Sequence, residues 1–225
     1  MSKTIPLSFL LILLGAGCVQ TQPVPEPVVD SADSETTIVE SLNLPDGSFA
    51  LLTDQSSLAW KASKVKVTHN GTVDVASGNV IVADGEVTEG NMEVTMSTLK
   101  NLDQEGKFLE MLETHLKSAD FFDVTQFPTS TFSVTTVELL NGMVGSNARV
   151  DGVLTIKGIS QPLSFPAMVV VQDDQIQVSG VATVDRTLYD IKFGSGKFFE
   201  NLGDGLIDDE FYLDLDLVFE AVSGI

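Results

Sequence analysis

Two histidines, His69 and His115, are the only side chains whose ordinary pKa lies near neutrality, and thus the obvious acid–base candidates. His69 precedes Asn70-Gly71, a pair that predicts a turn. His115 falls at the end of an acidic helix-like run, where a cation suits the C-terminal dipole. Neither sits in a catalytic pattern. No Gly-x-Ser-x-Gly elbow occurs. Gly194-Ser-Gly-Lys197 resembles a phosphate loop only in part, because the first glycine is missing at the required spacing and Phe198 follows the lysine. Asp173-Asp174 and Asp208-Asp209-Glu210 carry oxygen ligands suited to calcium. They lack the spaced loop of a dedicated site and read as solvated turns. No metal, cofactor or enzymatic activity is expected.

The one cysteine points elsewhere. Lys3, the apolar run Ile5 to Leu14, and Gly15-Ala16-Gly17 ahead of Cys18 form a secretory signal too short to span a membrane. Small residues leading into a lone cysteine resemble a bacterial lipobox, although Leu14 stands one place further back than usual. The resemblance implies cleavage before Cys18 and its acylation, hence a lipid-attachment site at Cys18 and export to the cell envelope. Val19 is not the aspartate associated with inner-membrane retention, which favours the outer membrane, facing the periplasm. With one cysteine no disulfide forms within the chain, so stability must come from a core.

Without Lys3, the 12 Lys and Arg become 11 against 32 Asp and Glu, a formal charge of 11 − 32 = −21. Such a surface repels phosphate backbones, which excludes nucleic acid as a partner. It also disfavours attraction to anionic headgroups. Any lipid recognition must then work through an apolar cavity.

Residues 1–17 are the signal and 18–45 a tether. From Val19 to Pro45 lie four of the eight prolines, five acids and no aromatic residue, a composition that cannot bury enough to order itself. From 46 to 225 strands dominate. Phe211, Leu213, Leu215, Leu217 and Phe219 alternate with Tyr212, Asp214, Asp216 and Val218, the mark of a strand half in a core. Leu163 to Val171 and Ile176 to Val184 repeat the pattern across a polar Gln172-Asp173-Asp174-Gln175 turn. Further strands are expected over Leu58 to Thr68, Gly71 to Ala83, Asn91 to Thr98, Thr131 to Leu139 and Arg149 to Lys157. Turns are expected at His69-Asn70-Gly71, Ala83-Asp84-Gly85 and Asn141-Gly142.

Helical signal is confined to Asp103 to Lys117, with Asp103 as cap and apolar Phe108, Leu109, Met111, Leu112 and Leu116, and to a turn or two over Gly196 to Leu202. The fold class is all-β with one helix and a short helical turn, an antiparallel barrel or sandwich of about eight strands. An eight-stranded barrel either fills with side chains or holds one small ligand. Of the 13 phenylalanines only Phe9 precedes Cys18, and the chain has two tyrosines and one tryptophan. Rings without a polar handle suit hydrocarbon better than sugar.

Several segments together resemble the YceI-like family of exported lipid-binding proteins. They are Ser57-Leu-Ala-Trp60, His69-Asn-Gly-Thr-Val73, His115-Leu-Lys-Ser-Ala-Asp-Phe-Phe-Asp123 and Gln126-Phe-Pro-Thr-Ser-Thr-Phe132. Gly152-Val-Leu-Thr-Ile-Lys-Gly158 with Gln161-Pro162, and Asp185-Arg186 with Tyr189-Asp-Ile-Lys-Phe193 as a late strand, complete the set. The resemblance implies a lipocalin-like barrel with a helix over it and a cavity for an isoprenoid chain or isoprenoid quinone-type lipid. Ligand contacts are then expected at Trp60, Phe121, Phe122, Phe132, Leu154, Phe165 and Phe193. Arg186 either pairs with Asp185 or Asp190 or meets a polar headgroup. The longer segment 194–204 departs from the family pattern and could cap or fill the barrel. A filled barrel would instead be an interaction module showing its acidic surface to an unidentified protein.

Overall fold

Alternating inward and outward side chains need a sheet that curls until its inner face is covered, and here the sheet closes on itself. The computed structural model describes residues 42–222, so the expected signal, Cys18 and nearly all of the expected tether lie outside the described residues. The described residues fall in one compact unit. Its elements are β1 (Gly47–Leu51), β2 (Ser57–Lys64), β3 (Val67–Ala83), β4 (Glu86–Asn101), α1 (Gly106–Lys117), β5 (Thr129–Leu139), β6 (Ala148–Ile156), β7 (Ile159–Gln172), β8 (Gln175–Asp185) and β9 (Ile207–Ala221).

All pairings are antiparallel, in the order β3-β2-β9-β8-β7-β6-β5-β4, and β4 returns to β3 to close the ring. β1 also lies between β3 and β9, end to end with β2 across a turn at 52–56. Nine strands therefore make eight staves, the expected number. The registers define two poles. The β3–β4, β5–β6 and β7–β8 turns and the start of β1 share one pole. The other holds the β2–β3 and β6–β7 turns, α1, and the long segment from β8 to β9.

Three local expectations fail for physical reasons. His69-Asn-Gly71 is not a turn but the start of β3, and the hairpin turns at Val65-Lys66. Gly71 pairs with Trp60, whose indole lies flat on it and donates from Nε1 to the Lys100 carbonyl at 3.0 Å. A Cβ at Gly71 would stand 1.8 Å from that carbonyl oxygen and 2.6 Å from the ring. The glycine serves close approach, not chain reversal. Likewise, α1 begins at Gly106 with Glu105 before it, and Asp103 caps nothing because its carboxylate is engaged across the sheet. By contrast, the turn expected over Gly196 to Leu202 is present, with both Phe198 and Phe199 donating their N–H to the Ser195 carbonyl, and a short 3-10 turn follows at Gly203–Gly205. The late strand ends at Asp185. Arg186–Tyr189 is a 3-10 turn, started by the Asp185 carboxylate accepting from Thr187 N–H at 2.9 Å.

Replacing Gly71 with Ala is expected to cost about 2 kcal/mol or more, by overpacking against backbone. Gly205→Ala, with nothing within 4 Å of the added carbon, should stay within about 0.5 kcal/mol of the parent. Urea denaturation of both variants checks this.

Candidate functional site

The inward faces of eight staves do not meet in the middle. They leave a two-lobed apolar cavity, and each lobe is open to the centre of a water-sized sphere over about 110 Å³. That is several times what a single water needs. Leu58, Met92, Phe132, Leu154 and Leu213 border both lobes and form a waist. Phe165, Val169 and Phe219 wall the lobe nearer the β1 end, which Leu44 also borders. Trp60, Met96, Phe121, Phe122, Ile156 and Phe211 wall the lobe under α1. Asn79 and Asn91 in one lobe, and Ser130, Arg186 and Asp208 in the other, are among the few polar neighbours. Water would find few partners there, whereas a hydrocarbon chain needs none.

The position of Phe132 at the waist is set by the wall behind it. The Phe132 ring lies against Gly152, where a Cβ would stand 2.3 Å from the ring, and its centroid is 5.8 Å from that of Phe165. A residue larger than glycine would drive the ring into the lumen.

Next to the lobe under α1 lies a vestibule of about 240 Å³ that shares Trp60, Ala62, Leu116, Phe121 and Ile207 with it. Its outer rim carries Lys64, His69, Leu112, His115 and Phe193. The His115 ring is wedged edge-on between Phe121 at 4.8 Å and Phe193 at 4.6 Å, with Nε2 3.2 Å from an Asp120 carboxylate oxygen. This aromatic cluster stands at the rim of the vestibule.

Two polar clusters hold that end in place. Asp103 accepts from the Asn70 N–H at 2.9 Å and lies 2.8 Å from His69 Nδ1, with Asn101 and Gln104 also donating. Partial burial works against its charged form. The hydrogen bonds from Asn70, Gln104, His69 and Asn101 prevail and hold the carboxyl well below the usual range. Arg186, 4% exposed, donates to the carbonyls of Asp208, Ile191 and Phe193 at 2.9 Å and of Ile207 at 3.1 Å, with Asp209 at 3.6 Å. Its ion-pair partner is Asp209, not Asp185 or Asp190. Asp185 instead engages Lys197 at 2.7 Å. With its donors spent on backbone, Arg186 ties the segment after β8 to the start of β9.

Six of the seven residues expected to touch ligand border the cavity: Trp60, Phe121, Phe122, Phe132, Leu154 and Phe165. Phe193 does not. It sits on the rim, 43% exposed, because the chain has left the sheet at Asp185. Leu58, Met92, Met96 and Leu213 wall the cavity as well, a role that period-two spacing in β4 and β9 signals for the last three. Phe127 packs near Gly158 on the hairpin instead. Among the described residues no group of three His, Cys, Asp or Glu could hold a metal ion.

A closed antiparallel barrel with a helix at one mouth and an apolar, two-lobed bore defines a lipocalin-like barrel. The chain belongs to the YceI-like family, whose model matches residues 49–219. Among curated proteins it is similar to the Protein YceI of Shigella flexneri, 34% identical over 62 residues, 28% of this chain and 30% of that one. A UPF0312 protein of Pseudomonas aeruginosa is 36% identical over 62 residues, with the same coverage of 28% and 30%. These matches thus span under a third of either chain. Among solved structures, Burkholderia cenocepacia BcnA superposes with a TM-score of 0.59 at 19% identity, over 75% of this chain and 98% of that one. A polyisoprenoid binding domain from Saccharophagus degradans gives 0.56 at 16% identity, over 77% and 98%. At such identities these likenesses concern the fold.

Asp103→Asn should lower stability at pH 7 by about 1–2 kcal/mol, since hydrogen bonds to a charged group are lost. The native carboxyl lies below its unfolded value near 3.9, so its contribution is complete above about pH 5 and shrinks as the pH falls further. Unfolding curves of parent and variant should therefore converge on acidification.

Proposed function

We propose that this protein binds one long apolar molecule, of the polyisoprenoid or isoprenoid quinone type, inside the barrel and sequesters or carries it without transforming it. The observation that carries this reading is the pair of apolar cavities inside the barrel, which share five wall residues at an apolar waist and are bordered by few polar groups. Burying roughly 300 Å² of hydrocarbon contributes about 7 kcal/mol before ordering costs. The family membership and the polyisoprenoid-binding relative of the same fold support it. His69 and His115 border the vestibule, each beside a carboxylate, and serve the architecture of the mouth, not turnover. An acylated Cys18 would tether the barrel to the envelope, in this reading to the outer membrane on its periplasmic side. The space in both lobes disfavours the competing reading of a filled barrel offering its acidic surface to a partner protein.

Native mass spectrometry of protein exported by a bacterial host, followed by solvent extraction, tests the reading. A defined adduct that extracts as one lipid is expected. A clean apo mass, with no uptake of added isoprenoid quinones, would overturn it. Leu213→Trp should block the waist and lower loading about ten-fold or more, measured as the adduct fraction at fixed lipid.

A further inference from the structure

The helix over the mouth does not bury the face its sequence promises. Phe108 is 72% exposed and Met111 57%, and no residue of α1 is fully buried. Both border a shallow groove with Val67 and Leu112. Val65 at the hairpin tip and Leu102 before the helix are exposed as well, as are Phe193, Phe198 and Phe199 in the segment after β8. Those segments adjoin: Phe193 touches His115 of α1, and Lys66 of the hairpin pairs with Asp204 at 2.9 Å. Every exposed phenylalanine among the described residues lies at this pole. Scattered exposed side chains need no explanation, but exposed apolar residues gathered from three adjoining segments around the mouth of an apolar bore do.

Charge is divided between the poles too. Of the Lys and Arg in residues 42–222, all but Arg149 lie in the half of the barrel that carries the mouth. There they are interspersed with acids, as in the pairs Lys66–Asp204, Lys117–Glu113 and Lys197–Asp185. The far pole shows Asp46, Asp84, Glu86, Asp173, Asp174 and Glu220, with only Arg149 among them. Any anionic lipid mixed into a bilayer would repel that far pole more than the mouth, where basic groups offset the acids.

We propose that the mouth rim is a membrane-docking face. Phe108 and Met111 of α1, Val65 of the hairpin, and Phe198 and Phe199 enter the boundary between headgroups and acyl chains of a zwitterionic bilayer. Aromatic and aliphatic side chains are the ones that lie favourably at that depth. The bore then opens onto hydrocarbon, and a long apolar molecule enters without crossing water. The inference rests on the cargo reading above and supplies its route. The chain enters the barrel at the far pole, but the 24 residues from Cys18 to Ser41 reach at most about 80 Å. That is ample for a tethered barrel to present its mouth to the same bilayer.

Residues 39–225 mixed with phosphatidylcholine vesicles and floated through a density gradient provide the test. The parent is expected to float, and to keep floating at raised salt. Phe108→Ser with Met111→Ser, and separately Phe198→Ser with Phe199→Ser, should each lower the floated fraction about five-fold or more at unchanged melting temperature. Met143→Ser with Val144→Ser, exposed at the far pole, should leave it unchanged. The proposal is overturned if the parent stays at the bottom of the gradient, or if the far-pole pair loses as much as the rim pairs. It is overturned equally if the rim substitutions instead dissolve a dimer seen by sedimentation, which would make the rim a contact between copies. A lipid adduct without flotation removes docking and leaves the cargo reading standing. Flotation of a clean apo protein does the reverse.

Discussion

Closure of the β3–β4 pair is the constraint on which everything else here rests. Once β4 returns to β3, every stave is hydrogen-bonded on both sides and no edge remains to recruit another chain. A closed ladder holds its own diameter, so the interior need not be packed solid to keep the walls apart. In a helical bundle or an open sandwich the same vacancy would be removed by elements sliding together. Here, the hydrogen bonds of the wall resist that collapse, and an apolar bore survives inside a stable fold.

Closing the ring leaves two ends to manage, and the chain treats them differently. At one pole tight turns suffice, with Asp84 and Gly85, and Asp173, in left-handed conformations. At the other the long passage from β8 to β9 must be held without a ladder. Arg186 does this by gathering backbone carbonyls from both ends of the passage, while the Asp103 cluster fixes the residues leading into α1. The polar groups at this pole are thus scaffold, and the groups that face the bore are apolar. A division of that kind suits binding, because Arg186 and Asp208 are the charged residues that border the bore and the Arg186 donors are spent on backbone carbonyls.

Alternation made most of the wall legible in sequence: β7, β8 and β9 run where their period-two spacing put them, and the stave count follows from the number of such runs. What misled was residues serving two purposes. Asn70-Gly71 has the composition of a turn, yet the glycine is there to accept the Trp60 indole, a long-range contact that no local pattern reveals. Asp103 precedes an amphipathic run as a cap would, but partners 33 residues away outcompete the helix for its carboxylate. Phe193 continues the apparent rhythm of a strand that has already ended, because the register of β8 against β9 stops at Asp185. The bore itself could not be read from spacing, since the direction each strand faces is settled only when the ring closes.

The division of one stave into β1 and β2 gives the barrel a mechanical polarity. Load arriving along the chain from before Leu42 falls first on β1, five residues held between β3 and β9. The turn at 52–56 separates that short piece from the eight residues of β2. Tension would therefore peel the barrel at its weakest seam, next to Leu44 and the lobe it borders, while the waist and the aromatic mouth stay under no strain.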